Sequence, residues 1–256
     1  MHRTDLIAAP PVSVPTMRAH KMLTAATRGL GFVAAAAGSA LITWGSVAYF
    51  NDDELAPFVI EKLPLPNEEL WLGALQLHVV AASFALPACL LLLSRTVLKR
   101  FPRFHRWLGR LAATAIVFAL VPSGFYMSFF AKAGFWSTVG FQLTGLITLV
   151  SMVLAVTTAR KKDFVAHRRW TLHMFAQLSV AVTSRAMLFG LDALNVEPDL
   201  GYLVALWVPV VGSALCVELV TSRGLKLFTL RRNHETRSDP GLAARPYGAL
   251  RGGARA

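Results

Sequence analysis

The chain has 256 residues, of which 55% are hydrophobic and only 16% charged, and its mean hydropathy is +0.51. A soluble domain carries about 25% charged residues, so the composition excludes an ordinary soluble globule and leaves room for about six membrane spans of ~20 residues. The net charge of +12 raises nucleic-acid binding, but the basic residues are sorted by loop, as described below, and that distribution excludes nucleic acid as a primary partner.

Residues 1–28 are polar, contain Pro10, Pro11 and Pro15 and end in basic residues. They read as a disordered cytoplasmic tail, with Met1 or Met17 as the start. The first apolar run, 29–50, contains Ala37-Gly38-Ser39, which resembles a signal-peptidase site. The run is longer than the roughly 7–15 residues of a signal h-region, so a retained span is expected. Next comes an acidic segment, 51–69, with Pro57, Pro64 and Pro66, expected to form a short amphipathic cap. Its Asp52-Asp53-Glu54 triplet reads as a solvated loop rather than a metal site. Further apolar runs occupy 70–93, 111–131, 138–159, 170–191 and 200–220. Residues 223–256 form a basic tail, rich in Arg, Gly and Ala, expected to be disordered. Hydrocarbon offers backbone groups no partner, so each run is expected to be helical. The runs are too uniformly apolar for barrel strands, which alternate. The fold class is therefore an all-α, polytopic six-helix transmembrane bundle.

The segments 1–28, 95–110, 160–169 and 223–256 carry nearly all the Lys and Arg. The opposite side holds only Lys62 and Lys132 against a run of acids that includes Glu61, Glu68, Glu69, Asp192, Glu197 and Asp199. The positive-inside rule then makes the basic side cytoplasmic, with both termini inside. The basic loops are expected to meet anionic lipid headgroups. Trp71 and Trp136 fall at outer boundaries, and Trp107 and Trp170 at inner ones, as an aromatic belt predicts. Cys89 and Cys216 lie within spans and read as free thiols; the absence of CxxCH excludes covalently attached c-type haem. Two basic loops are alike: RFPRFHRWLGRL at 100–111 and KKDFVAHRRWTLHMF at 161–175. The likeness suggests that spans two-three and four-five are tandem hairpins related by an axis along the membrane normal.

Ionisable groups inside a span are costly and therefore functional candidates. Here they are His78, His173, Arg185 and Glu218. His78 is expected about 13 Å deep from the outer side, level with Ser123, Gln142 and Arg185, and these four could converge on one outward-facing polar pocket. Arg185 reads either as a cation snorkelling outward and paired with Asp192, or as a binding group for an anion. His78 reads either as a helix–helix hydrogen bond or as a ligand or proton relay. A second, inner cluster would comprise His105, His167, His173, Cys89, Cys216 and Glu218. Where a His-Arg pair opens a helix, at His105 and His167, lipid phosphate is a natural partner.

A six-helix bundle with intramembrane His also raises b-type haem, whose two axial ligands must lie level. His78 and His173 differ in depth by roughly 9 Å. His105 and His167 are level and are the haem-iron candidates. No HExxH, GxSxG, Walker or GxGxxG signature occurs, and the sequence names no enzymatic reaction.

His78, RFPRFHRWLGR at 100–110, Ser123-Gly124, HRRW at 167–170 and Arg185 resemble the bacterial family of predicted membrane proteins called domain of unknown function 2306. The resemblance spans the central part of the chain. It implies a bacterial inner-membrane location and draws attention to these polar residues, but implies no reaction. Three functions are then expected to compete. The leading one is a protein binding a redox cofactor or quinone-like ligand through His78 and Arg185, with the inner His residues. The others are a transporter or channel for a small anionic solute, and a structural or lipid-interacting subunit. A homo-oligomer or another membrane partner is left open.

Overall fold

A peptide group in hydrocarbon must find its hydrogen bond within the protein, and this chain meets that demand with helices alone: the described residues contain no strand. The computed structural model describes residues 17–51 and 56–238, with side-chain detail over 29–51 and 56–222. The outer parts of both tails, 1–16 and 239–256, and the acidic triplet Asp52-Asp53-Glu54 lie outside the described residues. In order, the helices are α1 (Met17–Gly45), α2 (Pro57–Ile60), α3 (Glu68–Leu93), α4 (Arg95–Arg100), α5 (Pro102–Ala115), α6 (Val121–Ser128), α7 (Phe135–Arg160), α8 (Phe164–Ala193) and α9 (Pro198–Ser238). A 3-10 turn, Ser46–Phe50, follows α1, and a π segment, Ile116–Leu120, joins α5 to α6. Among the described residues, six helical stretches are long and apolar enough to cross a membrane: Gly29–Phe50, Glu68–Leu93, Pro102–Ser128, Phe135–Arg160, Phe164–Ala193 and Pro198–Ser222. On both flanks the helix runs past the apolar core of the span, back to Met17 in α1 and on to Ser238 in α9.

Local signals set the helix starts. The Asn67 side chain accepts from Leu70 N at 3.1 Å, and Glu68 and Glu69 occupy the first turn of α3, where the helix dipole favours acids. Asp163 accepts from Ala166 N at 3.0 Å and starts α8 directly after a short turn. The third span begins at Pro102 rather than at 111, the first residue of its apolar run. Proline is pre-organised for a first helical turn, so the arginine-rich stretch before the run is already helical. Span three also ends earlier than expected, at Ser128, ahead of a turn in which Ala133 and Gly134 adopt φ of 61° and 72°.

Short connections force neighbouring spans to run antiparallel. The Arg- and Lys-rich connections 94–101 and 161–163 therefore share one end of the bundle, the basic end, and 56–67, 129–134 and 194–197 share the acidic end. Small residues set the closest approaches. Ala81, Ala85, Ala88 and Cys89 of α3 pack on Leu108, Ala112 and Ile116 of span three, since close helix approach in membranes selects small side chains. A Cβ on Gly140 of α7 would come within 2.7 Å of Leu206 of α9, and one on Gly145 within 2.6 Å of Phe125. Span α1 lies at the periphery, with Leu30, Leu41 and Trp44 exposed to the surroundings, which for a spanning helix are lipid.

At the acidic end the segment after Ala56 folds back as the expected cap. Ala56 and Val59 bury themselves against Trp71 and Leu75. Lys62 Nζ donates to the Phe130 carbonyl at 2.8 Å, and Lys132 pairs with Glu61 at 2.9 Å. The hydrogen bond and charge of Lys132 hold the Glu61 carboxyl below its usual range. Trp71 does not join a lipid-facing belt: it is 2% exposed because α2 covers it. Trp107 and Trp136 do face outward.

Candidate functional site

The polar groups of the spans separate into two regions. In the first, span three sets the geometry. Pro122 has no N–H, and the turn before it opens to π geometry, with Val121 N–H reaching back to the Ile116 carbonyl. The Ser123 hydroxyl donates to the Ala119 carbonyl at 2.6 Å. His78 Nδ1 approaches the Leu120 carbonyl at 3.1 Å and Ser123 Oγ at 3.2 Å. A carbonyl only accepts, so Nδ1 carries the proton and Nε2 is the free acceptor. Gly124 permits this contact, since a Cβ there would lie 3.1 Å from His78 Cε1.

Gln142 and Arg185 do not join this pair. Gln142 Nε2 donates to Ser128 Oγ at 3.3 Å, bridging α7 to the end of α6. Arg185 is exposed and donates to the Ala181 carbonyl of its own helix at 2.8 Å; it makes no ion pair with Asp192. Among the described residues no hydrogen bond or ion pair joins it to His78. The expected four-residue pocket thus reduces to His78 with Ser123. Shared depth gives a residue's height along the membrane normal but not its partners, and these residues bond to different ones.

The second region lies between α7, α8 and α9, toward the basic end. Arg169, His173 and Gln177 follow one another at i, i+4 spacing on α8 and so share a face. Arg169 Nη2 donates to both carboxylate oxygens of Glu218 on α9, each at 2.7 Å. His173 Nε2 lies 3.0 Å from Glu218 Oε1. One turn further, Gln177 accepts from Thr144 Oγ1 at 2.7 Å and donates to the Val210 carbonyl and Ser213 Oγ, both at 3.1 Å. These two polar layers tie the three helices together. Trp170 stacks near His173, with ring centroids 5.7 Å apart, and the Arg169 guanidinium lies 5.6 Å from the Trp170 ring centre.

Against this cluster opens a groove of about 430 Å³. Its lining is mostly apolar, with Leu146, Ile147, Val150 and Leu215, and its polar members are Ser151, His173 and Glu218. His173 is 5% exposed. Its Nδ1 has no hydrogen-bond partner among the described residues, nor has the hydroxyl of Ser151.

The remaining histidines sit at the basic end in matching register. Each is the fourth residue of its helix, His105 in α5 and His167 in α8. His167 Nδ1 donates to the Ala155 carbonyl at 2.8 Å, while His105 Nδ1 is buried without a partner among the described residues. Cys89 packs on Met174 at 3.7 Å and Cys216 is exposed; both are free, and neither contacts Glu218. Among the described residues no group of three or more His, Cys, Asp or Glu is placed to hold a metal ion.

The sequence reading missed Arg169, counted among the loop cations, and the Gln177 layer. The signal that could have found them is the α8 spacing 169–173–177, which puts a cation, an imidazole and an amide on the face that meets Glu218.

A family model described as "Predicted membrane protein (DUF2306)" matches residues 75–221, a stretch that includes both polar regions. No curated protein and no solved structure matches the chain.

Proposed function

The chain belongs to the DUF2306 family of predicted membrane proteins, and from that footing we propose that it acts in the bacterial inner membrane as a binding protein for a lipid-soluble quinone or hydroquinone. The ligand lies in the groove between α7, α8 and α9. The basic end faces the cytoplasm by the positive-inside rule, so the groove serves the cytoplasmic leaflet.

The observation that carries the reading is the groove itself, about 430 Å³ with a mostly apolar lining that includes Ser151, His173 and Glu218 as its polar residues. That volume lies in the range of roughly 300–1,000 Å³ that holds small organic ligands, and such sites combine apolar walls with a few polar groups. Charge favours a neutral head over an anionic one. The lining contains a carboxylate, Glu218, already neutralised by Arg169, and no cation left over for an anion. The anion-transport alternative rested on Arg185, which is committed to its own helix.

Titrating the detergent-purified protein with a decyl-chain benzoquinone, and following quenching of tryptophan fluorescence, tests the reading. Ser151→Ala, which removes the hydroxyl of the lining that can donate to a quinone carbonyl, is expected to weaken binding about tenfold, the equivalent of one hydrogen bond of ~1.4 kcal/mol. Affinity unchanged in that variant would sink this site.

A second reading, b-type haem held by His105 and His167, is favoured by one observation. The Ala155 carbonyl fixes the His167 tautomer and leaves Nε2 free, the arrangement in which a ligating imidazole is held. Those two residues would hold the haem iron, and the haem would supply one-electron chemistry. Neither of them lines the groove. The reduced-minus-oxidised spectrum decides: Soret and α-band changes lost in His167→Leu support haem, and a colourless protein after haem-replete expression removes it.

A further inference from the structure

We propose that His173 is the proton acceptor for the hydroxyl of a hydroquinone bound in the groove, with Glu218 and Arg169 as positioning residues behind it. The inference rests on the quinone-class reading and adds to it the redox form that the site recognises and the direction in which a proton leaves the ligand.

The argument starts from the carboxylate. Glu218 receives two charge-assisted hydrogen bonds from Arg169 at 2.7 Å, an arrangement that favours its ionised form. An ionised carboxylate only accepts, so the contact of 3.0 Å from His173 must be an Nε2–H donating to it. The neutral ring then carries its lone pair on Nδ1, and Nδ1 has no protein partner among the described residues. His173 is buried and lines the groove, so the lone pair is available to a ligand there. An oxidised quinone has only carbonyl oxygens and can give Nδ1 nothing. A hydroquinone has an O–H and can. The acid–imidazole order is that of hydrolytic triads, in which a carboxylate fixes the tautomer and stabilises the imidazolium that forms.

The step is a proton transfer alone. The O–H bond of the hydroquinone breaks, the Nδ1–H bond forms, and the ligand remains as a monoanion beside an imidazolium held by Glu218. No electron moves. Ser151, whose hydroxyl lines the same groove, is the donor available to the new oxyanion. The ionisable groups facing His173 are Arg169 on its own helix and Glu218 on α9. Helix α7 contributes Leu146, Ile147, Val150 and Ser151 to the groove, none of them ionisable. The imidazolium therefore meets one carboxylate and one guanidinium that is already paired.

The test uses the full-length protein in detergent and, as probe, a 4-nitrophenol carrying a decyl chain, whose phenolate absorbs in the visible. In the wild type the phenolate band of the bound probe is expected at a pH about 1–2 units below that of the probe in empty micelles, a factor of 10–100 in the ionisation constant. Ser151→Ala is expected to reduce the shift. Glu218→Gln is expected to abolish it and Glu218→Asp, which restores a carboxylate, to recover part of it, a rescue that a merely structural role would not produce. The wild-type titration needs no variant to fold. If the benzoquinone binds but the bound probe ionises at its micelle pH, this inference is overturned and the quinone site stands. If neither molecule binds, the quinone reading falls and takes the inference with it.

Discussion

Trp71→Ala is expected to destabilise the protein by about 3–5 kcal/mol, the range for truncating a buried tryptophan. Trp71 is 2% exposed and stands where α3 meets the cap. Ala56, Val59 and Leu75 enclose it, and the Phe58 ring lies 6.0 Å away. Removing the indole leaves a cavity that the cap can fill only by shifting, while Lys62 and Glu61 anchor it to Phe130 and Lys132. The indole N–H has no partner among the described residues, so the loss is assigned to ring volume. Trp71→Phe, which keeps most of the ring volume, is therefore expected to cost less than half as much. Thermal unfolding in detergent and protease sensitivity of residues 56–66 report both effects. Equal losses for the two substitutions would show that ring volume is not what matters there.

Glu218→Leu is expected to cost about 2 kcal/mol, chiefly by leaving the Arg169 guanidinium in a span without its counter-charge. Breaking one partner of a buried pair costs more than this, and an exposed pair contributes little. The side chains here are 39% and 44% exposed, so the effect is discounted to lie between those limits. The decisive comparison is the double variant Arg169→Met with Glu218→Leu. Removing both charges leaves no uncompensated ion, and the double variant is expected to be more stable than Glu218→Leu alone. Additive losses in that cycle would mean that the two residues are not coupled as their geometry requires.

Most of the architecture was legible because the bilayer imposes a one-dimensional rule. A run of apolar residues long enough to cross must be a helix, and the six helices fall on the expected runs. Where the reading slipped, the reason is local. The start of span three was placed at 111 because Arg103, Arg106 and Arg110 break the apolar run, yet arginines sit comfortably on a helix that begins at Pro102. Trp71 was taken for a belt residue because nothing in its neighbours announces that the cap returns over it.

The site was less legible. Hydropathy gives the depth of His78, Gln142 and Arg185 but not the direction in which each points. Arg169 was hidden for the opposite reason: it stands beside Arg160, Lys161, Lys162 and Arg168, where one more cation looks like loop charge. What distinguishes it is its spacing to His173 and Gln177, together with the acid that faces it from another helix.

The π segment at Ile116–Leu120 has a consequence for how this span came to its present form. An i→i+5 turn accommodates one residue more than an α-turn, so span three is equivalent to a regular helix with a single inserted residue. Each residue of an α-helix turns the chain by about 100°, and the insertion rotates everything beyond Leu120 by about that angle relative to α5. Ser123 and Gly124 owe their place opposite His78 to this rotation. A chain one residue shorter at this point could keep the same hydropathy profile and the same number of spans. It would nonetheless turn that serine and glycine away from the histidine, so a one-residue gap in an alignment here marks the gain or loss of a polar contact in the bundle.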